Sequence, residues 1–150
     1  FTNTMGYLNR WAGGFGGPKV PHSSVVIPER EADYQIKDAY PENVPLLYRL
    51  TGDTYPLHAD PAFAKKAGFD RPIVHGLCSL GYACRMMIGA LFPGEPERMV
   101  SIENQFRAVA LPGDHFTLCV WKTGENEALF RMVKDSDGKA ILDYGRMTWK

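Results

Sequence analysis

Residues 76–91 read GLCSLGYACRMMIGAL, the longest helical pattern in the chain. Apolar side chains recur in it at steps of three and four residues, so they share one face of a helix. They are Leu77, Leu80, Cys84, Met87 or Ile88, and Leu91. Pro93 and Gly94 end the pattern. This stripe needs a second layer of structure to bury it.

The segment after the helix has the pattern of β-strands. From Val100 to Ala108 apolar side chains alternate with polar ones. Further strand candidates, separated by turn residues, are 116–122, 128–134 and 140–149. One long helix followed by an antiparallel meander, in which each strand pairs with its neighbours in sequence, predicts an α+β domain. The helix stripe would pack on the inner face of the sheet.

Composition narrows the function classes. The chain has 150 residues, with 17 Lys and Arg against 17 Asp and Glu. A net charge of zero gives no basic surface for nucleic acid. The most apolar window, residues 73–92, is interrupted by His75 and Arg85, so we expect no membrane span. Three cysteines without metal spacing favour a reducing compartment. We expect an intracellular protein, cytoplasmic or peroxisomal.

The segment YRLTGDTYPLHAD, residues 48–60, carries the main chemical candidates. Asp53 and His58 are five residues apart, and on a helix this spacing turns the chain by about 500°, away from a common face. Pro56 blocks a helix and favours an extended Tyr55. A rigid loop can therefore aim both side chains at one water, which the imidazole deprotonates and the carboxylate orients. The alternative is structural: Asp53 caps a turn and His58 fills the loop.

His75 and Gly76 stand at the start of the long helix. A helix N-terminus exposes N–H groups, and Gly76 lets a carbonyl approach its amide closely, so an oxyanion site is predicted there. The alternative is that Gly76 is only a turn residue. We predict no metal site, because His58 and His75 lack helical ligand spacing and a matching Cys or carboxylate set.

The pattern from Gly52-Asp53 to Pro56-Leu-His58-Ala-Asp60-Pro61 resembles the (R)-specific enoyl-CoA hydratases, or hydratase 2, of the MaoC-like hot-dog superfamily. The resemblance continues through AGFDRPIVHGLCS, residues 67–79, and covers about residues 34–150. It implies a hot-dog fold, an antiparallel sheet wrapped around one long central helix.

The resemblance also implies an activity. Asp53 and His58 would activate one water for addition across the 2,3-double bond of a trans-2-enoyl thioester, on CoA or an acyl carrier. The Gly76 amide would hold the thioester oxygen, and His75 and Tyr55 would contact the substrate. The product would be a (3R)-3-hydroxyacyl thioester, and the same hydro-lyase would run the dehydration. No metal or redox cofactor is implied.

The N-terminal segment fits the same resemblance. Residues 4–12 have the pattern of a strand, and Gly13-Gly14-Phe15-Gly16-Gly17 leads into a proline-rich stretch. Double hot-dog members have such a segment between their repeats. Residues 1–32 are thus expected to be the tail strand and linker of a preceding repeat, and residues 33–150 the catalytic domain. A second hot-dog repeat, or another copy of the chain, is the expected protein partner.

One position departs from the family pattern. Tyr55 stands where the family usually has Asn, between the Asp and the Pro. This substitution leaves open a specialised dehydratase or isomerase of secondary metabolism that acts on a non-standard substrate. A third possibility is a non-catalytic hot-dog half that pairs with an active partner.

Overall fold

The structure, a computed structural model, describes residues 2–7, 12–18 and 24–150. These residues form an antiparallel sheet of five strands in the order β1-β3-β4-β5-β2. The strands are β1 (Tyr34–Ala39), β2 (Met99–Phe106), β3 (His115–Gly124), β4 (Glu127–Lys134) and β5 (Ala140–Trp149). A long helix packs on one face of the sheet, so the expected α+β arrangement is confirmed.

The described residues contain three α-helices, and the longest begins and ends where the sequence places it. They are α1 (Val44–Tyr48), α2 (Pro61–Lys66) and α3 (Gly76–Leu91). The buried face of α3 differs from the predicted stripe: Leu77 is 44% exposed, while Cys78, Ala83 and Met87 are buried. The small residues lie inward because the sheet approaches the helix closely there, and bulky sheet residues fill the space.

The core lies between α3 and the inner face of the sheet. Its largest members from the sheet are Phe116, Leu118, Phe130, Met132, Leu142 and Met147, all fully buried. Burial of this apolar surface is the main stabilising contribution to the fold. It also fixes the first turn of α3 against the strands.

Two features of the sheet differ from the sequence prediction. β1 was not predicted, and it pairs with β3 from Tyr34 opposite Val120 to Ala39 opposite His115. β2 pairs with β5, so it lies at the edge of the sheet and does not form a hairpin with β3. Irregularities in the β2–β5 register break the alternation expected for residues 100–108, and Val100 is 63% exposed.

The N-terminal segment is described in part. Residues 2–7 and 12–18 contain neither helix nor strand, and residues 8–11 of the predicted strand lie outside the described residues. The chain joins the domain near Arg30, whose carbonyl accepts a hydrogen bond from the Trp121 indole at 2.9 Å. Across the described ranges, no helix has the length and apolar character to cross a membrane.

Candidate active site

A stiff loop between α1 and α2 carries the predicted pair. Gly52 ends the turn after α1 with a φ of +119°, a conformation that other residues rarely adopt. Tyr55 is extended, as expected before a proline, and Pro56–His58 form one turn of 3₁₀ helix. The Asp60 amide closes this turn by donating to the Pro56 carbonyl at 2.8 Å.

His58 is oriented by a backbone group from a distant segment. Its Nδ1 lies 2.8 Å from the carbonyl oxygen of Ile73. A carbonyl only accepts hydrogen bonds, so Nδ1 carries the proton and Nε2 keeps a lone pair. The Ile73 amide in turn donates to the Leu57 carbonyl at 3.4 Å, tying the two segments together. His58 is therefore arranged as a base through Nε2.

Asp53 reaches the same place from the other end of the loop. Its carboxylate oxygen and one ring nitrogen each of His58 and His75 lie within 4.8 Å of one another. The Tyr55 amide donates to Asp53 Oδ1 at 3.3 Å and helps to aim the carboxylate. The carboxylate is exposed, so it meets solvent directly. The predicted convergence of Asp53 and His58 is present.

This cluster also corrects the argument used against a metal. Helical spacing is not required here, because an irregular loop supplies Asp53 and His58 and the start of α3 adds His75. A carboxylate therefore does accompany the two histidines. The absence of a metal stays a prediction. Its stated reason, that His58 and His75 lack a suitable spacing and a carboxylate beside them, was wrong.

His75 is enclosed behind His58. It is 1% exposed, and the two rings are stacked with centroids 3.7 Å apart. Tyr48 covers it at 4.6 Å. Burial, and then the neighbouring His58, lower the pKa of His75. A neutral His75 leaves room for His58 to take up a proton without a second positive charge beside it.

The hydrogen bonds of His75 are consistent with this neutral state. Its Nε2 lies 3.3 Å from the Asp53 carbonyl oxygen, which makes Nε2 the donor. Nδ1 is buried and has no hydrogen-bond partner among the described residues. The burial of His75 argues against the direct substrate contact predicted for it and favours a supporting role for His58 and Asp53.

Gly76 opens onto a cavity of about 200 Å³ that His58 also lines. As the first residue of α3, it presents an amide N–H without an intrahelical acceptor. The remaining walls are largely apolar and include Ile73, Phe106, Val109 and Ile141. His58 and the first residue of α3 thus line one largely apolar cavity.

His58 also lines a second cavity, of about 250 Å³. This cavity is more polar, because Glu42 and Arg71 flank it. Arg71 donates to the Glu42 carboxylate at 2.9 Å and to the Pro112 carbonyl, which fixes its position. The imidazole therefore lies between two cavities, and the second has the Arg71–Glu42 ion pair in its wall.

Tyr55 is half exposed beside the pair. Its ring meets His58 edge-to-face at 6.3 Å and Phe63 of α2 at 5.4 Å. Phe63 thus holds the tyrosine ring close to the imidazole.

The comparisons with known proteins agree with this geometry. The family model described as MaoC like domain matches residues 21–143. The chain belongs to the MaoC-like dehydratase family. Enoyl-CoA hydratase ChsH3 of Mycobacterium tuberculosis is 41% identical over 142 residues, covering 95% of this chain and 50% of that protein. The peroxisomal enoyl-CoA hydratase 2 of Arabidopsis thaliana is 35% identical over 145 residues, covering 90% of this chain and 47% of that protein.

A solved MaoC-like dehydratase from Phytophthora capsici superposes with a TM-score of 0.83 at 35% identity. It covers 89% of this chain and 47% of that chain. The hot-dog fold implied by the sequence is thereby confirmed. The chain spans about half the length of these relatives.

Sequence reasoning missed several residues around this MaoC-like site. Tyr48 and the Ile73 carbonyl support the two histidines, and Phe106 lines the cavity. Tyr48 begins the quoted segment and is the last residue of α1. Its place in the helical pattern could therefore have indicated that it lies beside the site. Ile73 contributes a backbone carbonyl, 15 residues away from His58 along the chain. Any residue type has this group, so the sequence does not indicate the contact.

Proposed function

We propose that this chain carries the active site of a hydro-lyase that adds water to 2-enoyl thioesters and removes it from 3-hydroxyacyl thioesters. The observation that carries the proposal is that Asp53 meets His58, and that His58 and Gly76 line one largely apolar cavity. The names of its hydratase and dehydratase relatives support the same chemistry. The substrate class is an acyl-CoA or acyl-carrier thioester.

The geometry suggests the division of labour. His58 Nε2 takes a proton from a water that Asp53 orients, and the water oxygen bonds to C3 of the enoyl group. Electron density moves to the thioester oxygen, which the Gly76 amide stabilises, and C2 then receives a proton. General acid–base groups typically contribute about 10²–10⁴-fold each, and an oxyanion donor about 10²–10³-fold. Such chemistry on water needs no resident metal or redox cofactor, so we propose none.

The direct test is hydration of crotonyl-CoA by the intact protein, followed as loss of the conjugated enoyl absorbance. We expect turnover by the native protein and a loss of about 10²-fold or more for Asp53→Asn and His58→Gln. Asp137→Asn, in the turn after β4, and His115→Gln, at the start of β3, are the matched controls. Native-like turnover by both site variants, or no turnover by the native protein, would overturn the proposal.

A second candidate function follows from Tyr55, whose ring lies beside His58. A bulky phenol at this position suits a specialised dehydratase or isomerase with a non-standard substrate. Tyr55→Asn separates the candidates. A rise in crotonyl-CoA hydration would mean that Tyr55 redirects the site, whereas unchanged hydration would make Tyr55 peripheral.

We also propose a second hot-dog module as the protein partner, either a preceding repeat in the same polypeptide or another copy. The chain's coverage of about half of its relatives supports this, as does the exposed edge strand β2. Residues 1–32 would then be the end of the first repeat and residues 33–150 the catalytic one. A purely supporting, non-catalytic half is disfavoured by the intact Asp53 and His58 pair. An intracellular site, cytoplasmic or peroxisomal, stays part of the proposal.

A further inference from the structure

Phe106 lies against the predicted oxyanion donor. A Cβ atom built on Gly76 would stand 3.1 Å, 3.2 Å and 3.6 Å from three carbons of the Phe106 ring. A side chain at position 76 would therefore be crowded by the ring, so the Phe106 ring occupies the space beside Gly76. A ligand that binds at the Gly76 amide would lie near this ring.

The backbone of Phe106 is fixed, although its side chain is 50% exposed. Phe106 is the last residue of β2 and pairs with the buried Leu142 of β5. The next residue, Arg107, donates its amide to the Ile141 carbonyl at 3.0 Å. The ring thus projects from a rigid sheet edge and can act as a fixed wall.

The same cavity is lined by His58 and by Phe106. A conjugated enoyl thioester is flat, and water can add to C3 from either face. An apolar ring cannot deliver or orient water, whereas His58 and Asp53 can. A flat acyl group whose oxygen is held at Gly76 would have the phenyl ring beside it and receive water from the side of the imidazole.

We infer that Phe106 is a specificity-determining residue that selects which face of the enoyl thioester receives water. The inference rests on the proposed hydration. It adds that the stereochemistry at C3 depends on the Phe106 wall as well as on the position of the base. The water oxygen bonds to C3 on the His58 side and keeps one proton as the hydroxyl. The other water proton, taken by His58, is passed on to C2, and the face against Phe106 stays closed.

The test is the enantiomer ratio of 3-hydroxybutyryl-CoA formed from crotonyl-CoA at early times. We expect one enantiomer from the native protein, a ratio lowered about tenfold or more by Phe106→Ala, and a smaller decrease by Phe106→Leu. Phe15→Ala removes an exposed phenyl group from the Gly-rich segment and should leave the ratio unchanged.

The outcomes separate this inference from the proposed hydration. Failure of the native protein to hydrate crotonyl-CoA would overturn the proposed function. Hydration with a native-like enantiomer ratio in both Phe106 variants would overturn only the inference, as would a mixed product from the native protein. If Phe106→Ala does not fold, Phe106→Leu keeps most of the apolar volume, and its ratio decides the question.

Discussion

His58 and Asp53 come together because backbone groups from two different segments hold them. The Ile73 carbonyl fixes the tautomer of His58, and the Tyr55 amide restrains the Asp53 carboxylate. His75 stacks behind them, and burial lowers its pKa. The result is one exposed acid–base pair on a neutral aromatic support.

The lowered pKa of His75 predicts a pH dependence of stability. Below about pH 6.5 the unfolded chain binds a proton that folded His75 resists, so the free energy of unfolding falls as the pH falls. Above that pH His75 is neutral in both the folded and the unfolded chain, so its contribution to the free energy of unfolding no longer varies with pH. Urea unfolding across this range should show a smaller decrease for His75→Gln than for the native protein. His115→Gln is the control, and an equal decrease in native protein and His75→Gln would contradict the assignment.

At this scale the sequence predicted that Asp53 and His58 converge, but not the contacts that hold them. Asp53 and His58 could be predicted because Pro56 rules out a helix, which leaves a loop able to bring them together. The stacking of His75 on His58 joins two segments 17 residues apart and depends on tertiary packing. Local propensity carries no information about such contacts.

At the scale of elements, the short helix α2 keeps the loop in place. Its N-cap Asp60 accepts hydrogen bonds from the Ala62 amide at 2.8 Å and the Phe63 amide at 3.2 Å. Phe63 then packs against Tyr55. A helix of six residues has little stability of its own, so the cap is important to it.

Asp60→Ala should therefore lower the free energy of unfolding by about 1 kcal/mol, the usual effect of losing an N-cap. Chemical denaturation measures this directly. Asp70→Ala, an exposed carboxylate in the loop after α2, is the matched control. Equal stability of the Asp60 variant and the native protein would contradict the capping role.

The helices and strands differ in how well the sequence predicts them. Both ends of α3 could be predicted, since Gly76 follows a loop and Pro93 prevents continuation. β2 was harder because its bulges move Val100 and Phe106 out of strict alternation. The pairing of β1 with β3 joins residues about 80 apart, and no local pattern specifies such a contact.

For the whole molecule, β2 is one of the two edge strands of the sheet that the described residues form, opposite β1, and it exposes Val100 and Phe106. An unpaired edge with apolar side chains is a ready surface for association. The proposed partner, a second hot-dog module, would cover it and would enclose the cavity beside Gly76 and Phe106.

This chain on its own is therefore expected to associate in solution through β2. Light scattering should give a mass above that of the monomer, and Val100→Lys should shift the mass towards the monomer. Leu50→Lys, on an exposed turn away from the sheet, should leave it unchanged. A monomeric native chain, or a mass that Val100→Lys does not alter, would contradict this interface.

The central claim is that Asp53 and His58 act on the same water, and a double-mutant cycle tests it most directly. The measurement is kcat/KM for crotonyl-CoA hydration by the native protein, Asp53→Asn, His58→Gln and the double variant. Groups that work as a unit are strongly non-additive, so the double variant should lose about as much activity as the worse single variant. Losses that multiply across the two sites would show independent roles and would contradict the claim.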